Sequence, residues 1–284
     1  MSVATYRKIP LSTKCSILLG GFANQFGWAF FGFGMIFFWG FAMNSDLSAF
    51  YFTGEVITVE GTATRSTEID ATEGNITVIG NSYKFKTEDG IEFEGISYAT
   101  GQSIQIGQSV TIEYPEGNPQ YSRIKGMRRQ IFHAVAIWVV LFPLVGLMFM
   151  LFGLKRSIRA IRLLKYGEMT KGKLISKVRT NTKINGRPLY KMKFRYKDYM
   201  GNEFELTEKT LTPYVLEDQG EERLLYSRHK PAYAAMLDSL PSSASINAHG
   251  SIEPSSLIRV IFLMFFPLLT IVGHGIYVFN TYVG

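Results

Sequence analysis

Three stretches of this chain, residues 15–45, 130–154 and 260–284, contain no Asp, Glu, Lys or Arg. A helix needs about 20 apolar residues to cross a hydrocarbon layer of roughly 30 Å, and lipid offers no partner to a backbone group left unpaired. All three runs are long enough. The middle one reads IFHAVAIWVVLFPLVGLMFMLFGL over residues 131–154, without the polar stripe of a globular surface helix. Pro143 and Pro267 are compatible with such helices, where neighbouring groups satisfy the carbonyl that a proline frees. The first run is too long for a cleaved signal segment and has no small-x-small site before Asp46, so it is expected to stay as an anchor. The single cysteine, Cys15, allows no intrachain disulfide, and Lys14 before it does not suit lipid attachment.

Between these runs one pattern occurs twice. Tyr83-x-Phe85, Gly90 and Phe93 recur with the same spacing as Phe194-x-Tyr196, Gly201 and Phe204. Each copy closes alike, on Tyr114 with Pro119-x-Tyr121 and on Tyr226 with Pro231-x-Tyr233, the Phe-to-Tyr gap being 21 positions in one and 22 in the other. Fixed-period self-similarity marks a repeated structural unit. Within it, apolar and charged residues alternate as in strands with one buried face.

The alternation predicts a register. A three-residue loop, Glu88-Asp89-Gly90, pairs Phe85 with Phe93, Lys84 with Glu94 and Lys86 with Glu92, whereas a two-residue loop sets Phe85 opposite Glu94. The second copy gives the same answer: a Tyr199-Met200-Gly201 loop pairs Tyr196 with Phe204, Arg195 with Glu205 and Lys197 with Glu203. Further strands are expected at residues 54–59, 76–79, 104–106 and 110–114, with counterparts at 172–178 and 223–226.

The expected fold is an integral membrane α-helical anchor of three transmembrane helices carrying two small all-β modules, barrel- or sandwich-like, as an internal repeat. Its parts are a lead over 1–14, a transmembrane helix over 15–43, a first β module over 44–130 and a second transmembrane helix over 131–154. A basic juxtamembrane helix over 155–166, a second β module over 167–238, a linker over 239–256 and a third transmembrane helix over 257–280 follow.

Lys and Arg near span ends favour the cytoplasm. The lead carries Arg7, Lys8 and Lys14, and no Lys or Arg follows until Arg65. Residues 44–130 hold 12 acidic and 7 basic side chains, a net of −5, while residues 155–256 hold 11 and 19, a net of +8. The lead and second module are therefore expected in the cytoplasm and the first module outside. Arg123, Lys125, Arg128 and Arg129 oppose this assignment at the outer end of the second span, and the first span decides it.

The chain resembles the bacterial membrane proteins of domain-of-unknown-function family 3592. The resemblance covers both modules and the spans and rests on Gly54-x-Val-Ile, Tyr83-x-Phe85, Gly90, Gly107-x-x-Val-x-x-x-Tyr114, Asn118-Pro119 and Thr182-x-x-Asn185-Gly186. The second copy departs from that pattern at Arg223-Leu-Leu-Tyr226 and at Lys230-Pro231. The resemblance implies architecture and a bacterial inner-membrane location, with no catalytic residue to carry over.

Candidate functional residues are few. Lys155, Arg156, Arg159, Arg162 and Lys165 form a basic flank suited to an anionic lipid surface. Gly20, Gly27 and Gly34, at seven-residue spacing, mark a helix-packing face, because small residues let helices approach closely in lipid. Asn24 and Gln25 on the same span suit a packing hydrogen bond. His133 and His274 are weak metal candidates, lacking a cysteine or nearby carboxylate to complete a site. No sequence motif of a hydrolase, zinc enzyme, redox pair, phosphate loop or dinucleotide fold occurs, so no cofactor is expected. The net charge of +7 follows from topology and does not indicate nucleic acid. The expected partners are the lipid bilayer, proteins or envelope components, and a second copy of the chain. The leading expectation is a non-enzymatic multi-pass protein binding partners on both sides of a membrane, with an oligomeric transporter or channel subunit and a membrane enzyme as alternatives.

Overall fold

The structure, a computed structural model, describes residues 6–217, 220–247 and 249–283. It comprises two compact units, one spanning Phe33–Pro143 and the other formed by the chain up to Gly32 together with Leu144 onward. Residues 1–5 of the expected lead lie outside the described residues.

Among the described residues, three helical stretches are long and apolar enough to cross a membrane: Phe22–Ala42, Ala134–Tyr166 and Leu257–Tyr282. The expected continuous helix over 15–43 is corrected. Helix α1 (Leu11–Leu19) ends at Gly20, which is extended, and Gly21 takes φ +84° before α2 (Phe22–Phe37) begins. Glycine enters that conformation without the Cβ clash of other residues, so the Gly20-Gly21 pair breaks the helix inside an uncharged run. A π-helical turn, Phe38–Ala42, extends α2. The second stretch starts as a 3₁₀ segment, Ala134–Val140, and becomes α3 (Leu141–Tyr166), with Pro143 in the first turn of the α-helical part. Helix α3 carries the basic segment 155–166 without interruption. The third stretch is α4 (Leu257–Tyr282).

In the first unit, β1 (Val56–Glu73), β2 (Ile76–Lys86), β3 (Glu92–Thr100), β4 (Ser109–Pro115) and β5 (Arg123–Ile124) form an antiparallel sheet in the order β3-β2-β1-β4-β5. Tyr98 of β3 exchanges backbone hydrogen bonds of 2.7 and 3.0 Å with Arg128, just past β5, so the sheet curls into a barrel-like form. Its interior holds Tyr83, Phe85, Ile112 and Tyr114, with Phe93 packed against them.

In the other unit, β6 (Glu168–Ile184), β7 (Arg187–Lys197), β8 (Glu203–Thr210), β9 (Glu222–Ser227) and β10 (Lys230–Met236) pair in the order β10-β9-β6-β7-β8. Strand for strand this is the order of the first sheet. The correspondence extends to details: Gly61 faces Phe85 and Gly172 faces Tyr196, and the β1·β2 ladder is interrupted after Ala63 and Glu68 where β6·β7 is interrupted after Leu174 and Arg179. Each pair of positions differs by 111 (172 − 61, 174 − 63, 179 − 68). The linking turns also match, Gly74-Asn75 and Asn185-Gly186, all four residues having positive φ, as a two-residue hairpin loop twisted with its strands requires.

The predicted hairpin registers appear in full: Phe85 opposite Phe93, Lys84 opposite Glu94 and Lys86 opposite Glu92, then Tyr196 opposite Phe204, Arg195 opposite Glu205 and Lys197 opposite Glu203. Gly90 and Gly201 close these loops at φ +77° and +86°. The strand expected at 104–106 is corrected to loop, where the Asn81 carboxamide oxygen accepts the Ile104 N–H at 3.1 Å.

Strand β9 has apolar residues buried on both faces. Leu224 packs into the sheet's own core with Phe194 and Tyr196, while Leu225 packs with Ile9, Ile17, Leu163 and Leu164 of the helical layer. A strand covered on both sides loses its polar alternation. This accounts for the Leu224-Leu225 pair where β4 of the first sheet alternates. The expected linker over 239–256 is likewise corrected: Leu240, Ala244, Ile246 and Ile252 are buried in this second core, and Ile246 bridges Ile252.

Candidate functional site

The glycines singled out by spacing lie in two different surroundings. A Cβ at Gly27 would stand 2.7 Å from the backbone nitrogen of Met150, and one at Gly34 would stand 2.6 Å from that of Pro143. Both positions are close approaches of α2 to α3. Gly20 lies instead against Ser242, which hydrogen-bonds to the Ser16 carbonyl, so its neighbour is the 239–256 segment and no spanning helix. Gly153, which spacing did not single out, is a further close approach: a Cβ there would stand 2.9 Å from the Asn24 backbone nitrogen.

Asn24 and Gln25 serve the helix break. The Asn24 amide donates to the Leu18 and Gly20 carbonyls at 2.6 and 3.2 Å and to Ser157 Oγ at 3.3 Å. The Gln25 amide donates to Leu19 at 2.7 Å and to the Leu263 carbonyl of α4 at 2.9 Å. The last carbonyls of a helix have no internal partner, and here two side chains supply one while tying α1 and α2 to α3 and α4.

The two histidines stand in different environments. His274 Nε2 lies 3.0 Å from the Gly32 carbonyl oxygen. His133 lies 3.7 Å from the Glu73 carboxylate and is two-thirds exposed. Among the described residues no three His, Cys, Asp or Glu side chains gather as a metal site would require. Glu73 is instead the centre of a polar cluster, accepting from Arg128 at 2.7 and 2.9 Å and from Thr100 at 2.6 Å. Burial disfavours its charge, but these hydrogen bonds and the Arg128 and His133 charges outweigh that and hold the carboxyl below the ordinary range.

The basic residues that oppose the orientation assignment are mostly engaged within the first unit. Arg123 pairs with Glu113 at 2.6 Å and lies 4.2 Å from the centre of the Phe52 ring. Arg129 donates to the Ser122 and Gln120 carbonyls and lies over Tyr121. With Arg128 bound to Glu73, Lys125 alone of the four is fully exposed.

At the foot of α3 the basic flank is also put to structural use. The Arg156 guanidinium donates to the Ser239 carbonyl at 3.1 Å, and that of Arg159 donates to the Ala234 carbonyl at 2.6 Å while lying 4.5 Å from the Tyr233 ring centre. Lys165 sits over Tyr6 and Tyr166 at 4.9 and 4.8 Å, and those two rings meet edge-on. Lys155 is exposed. Arg7, from the lead, is nearly buried. It donates to the Leu164 and Gly167 carbonyls at 3.3 and 2.7 Å, and its backbone N–H donates to Lys165 at 3.0 Å. A cation at a helix C-terminus opposes the negative end of the helix dipole, and burial lowers the Arg7 pKa.

Beside this cap, the last turn of α3 and the β9–β10 hairpin enclose a cleft of about 430 Å³. Arg162, Tyr166, Ser227, Lys230 and Tyr233 line it over a floor that includes Leu163. Of the flank residues predicted from sequence, only Arg162 lies here. The cleft's hairpin side was signalled in the sequence by Lys230-Pro231, where the first module has Asn118-Pro119.

No family model matches the chain, and no curated protein matches it. Comparison with solved structures returns a chain from a work titled "Structure and Conformational Change of a Replication Protein A Heterotrimer Bound to ssDNA", at 9% identity and a TM-score of 0.19. The match covers 76% of this chain, which spans about half, 53%, of that one, and a TM-score so low carries no argument.

Proposed function

We propose that this chain is a multi-pass protein of a bacterial inner membrane, with its N-terminus in the cytoplasm and two copies of one β module that bind partners on opposite sides. The observation that carries this reading is the single helix of spanning length, α3, between two sheets of identical strand order. One crossing between two copies sets them on opposite sides. The net charges of −5 and +8 on the two module segments have the signs that the positive-inside tendency favours. Arg123, Arg128 and Arg129, which oppose this orientation, are each engaged by groups of their own unit. Apolar side chains such as Phe152, Phe262 and Phe265 are exposed along α3 and α4, a surface suited to lipid.

The modules act as binding units without chemistry of their own. Asn24 and Gln25, on which a transport pathway would draw, are committed to helix carbonyls, and this favours binding over transport. The test is crosslinking of the full-length protein in cells with identification of the captured chains. Distinct partners on each module support the reading. Capture of nothing beyond the chain itself, by probes in both modules, contradicts it.

A further inference from the structure

We propose that the cleft at the foot of α3 binds a phosphate ester, supplied by the headgroup of an anionic phospholipid. The donor set is the chemical reason. Arg162 and Lys230 flank the cleft from opposite elements, and among the described residues neither side chain has a hydrogen-bond or ion-pair partner. Guanidinium and ammonium groups are the usual phosphate donors, one as a planar fork and the other as a point charge. Ser227, Tyr166 and Tyr233 line the same space and offer a hydroxyl and two phenols as neutral donors, and Leu163 is an apolar lining residue. The volume of about 430 Å³ lies within the range of roughly 300 to 1,000 Å³ usual for small-ligand sites.

Three further observations favour this reading over a plain solvated flank. Arg156, Arg159 and Lys165, on the same helix, are held by carbonyls or aromatic rings, so Arg162 is singled out as a free cation facing a cavity. The negative end of α3, which would repel an anion, is occupied by the Arg7 guanidinium. Lys230 stands where the first sheet has Asn118, and the two tyrosines that follow are dressed differently. Tyr121 is stacked by Tyr51 at 4.6 Å and approached by Arg129 at 5.0 Å, whereas Tyr233 is approached by Arg159 and borders the cleft. The second sheet thus carries a cation beside a cleft, where the first sheet has Asn118 and a Tyr121 stacked by Tyr51.

The lipid source follows from Tyr166. It lines the cleft and also forms, with Tyr6 and Lys165, an exposed aromatic and cationic cluster of the kind that sits at headgroup level. The cytoplasmic leaflet is the anionic one. This source, though not the phosphate chemistry, rests on the membrane reading of α3.

Native mass spectrometry of the full-length protein, released from detergent micelles doped with phosphatidylglycerol, tests the proposal. Wild type and Lys155→Gln are expected to retain the lipid alike, and Arg162→Gln/Lys230→Gln to retain it about thirtyfold more weakly, two cations being removed. Lys230→Asn, which restores the residue of the first copy, is expected to weaken retention alone. A parallel titration with inorganic phosphate separates the sources: binding that depends on Arg162 and Lys230 without any lipid effect supports the phosphate site and names the soluble ion as its ligand. Equal retention of both probes by wild type and the double variant overturns the proposal, as does an equal loss in Lys155→Gln. If the protein is soluble and folded without detergent, the membrane reading fails while the phosphate titration still tests the cleft.

Discussion

The Asn24 side-chain amide donates to the carbonyl oxygen of Leu18 at 2.6 Å, across the break that Gly20 and Gly21 make in the first apolar run. Without it the last turn of α1 keeps an unsatisfied acceptor in a buried setting, since Asn24 is 4% exposed. Leaving such a group unpaired costs about 1–3 kcal/mol. Asn24→Leu is therefore expected to lower the thermal midpoint in detergent by that equivalent. An unchanged midpoint would show that the helix end is satisfied otherwise.

Gly61 and Gly172 occupy the same place in the two sheets but do not have the same freedom. A Cβ at Gly61 would lie 2.9 Å from the Lys84 carbonyl oxygen and 2.7 Å from Ile112 Cγ1, whereas at Gly172 the nearest atom is the terminal Leu224 Cδ2 at 2.7 Å. Backbone cannot move aside, and a leucine methyl can. Gly61→Ala is expected to cost about 1–3 kcal/mol as overpacking, and Gly172→Ala to stay within about 1 kcal/mol of neutral, where loss of glycine entropy offsets the contact. Hydrogen exchange of each sheet reads the two effects separately, and the reverse order would contradict the packing account.

What the sequence disclosed follows the physics of each element. The hairpins were legible because opposite charges and aromatic rings repeat with period two and only one loop length aligns both. The full extent of β1 was hidden, for its distal part, Thr62 to Glu73, is mostly polar and interrupted by irregular pairing. The Gly20-Gly21 break was masked by apolar neighbours on both sides, although Asn24 and Gln25 carried its signal. The packing of 239–256 was hidden because Leu240, Ile246 and Ile252 stand apart among Ser and Pro. Of the cleft, Arg162 and Lys230 were each visible, and only the fold brings them together.

Acid is expected to loosen the first unit through Glu73. A carboxyl held below its ordinary pKa contributes stability that is complete above the unfolded value and is lost as pH falls through the folded one. Wild-type stability should therefore drop on acidification below about pH 4. In Glu73→Gln the drop should be shallower and the starting stability lower, because Arg128 loses its counter-charge. Parallel acid profiles for the two proteins would remove Glu73 from the account.

Arg7 is expected to matter as a cap. Arg7→Met keeps the apolar stem and deletes the bonds to Leu164 and Gly167, and a charge-assisted hydrogen bond of this kind is worth about 1.5–3 kcal/mol. Faster amide exchange in the final turn of α3, with the first unit unchanged, is the predicted signature. Unaltered exchange there would mean that the Gly167 turn closes the helix unaided.

The central claim is that α3 passes through a bilayer and parts the two sheets. Cysteines introduced singly at exposed Glu68 and exposed Asn185, in a Cys15→Ser background, can be reacted in intact cells with a membrane-impermeant maleimide. The account predicts labelling at position 68 from outside and at position 185 only after the membrane is opened. Labelling of both from the same side would contradict it.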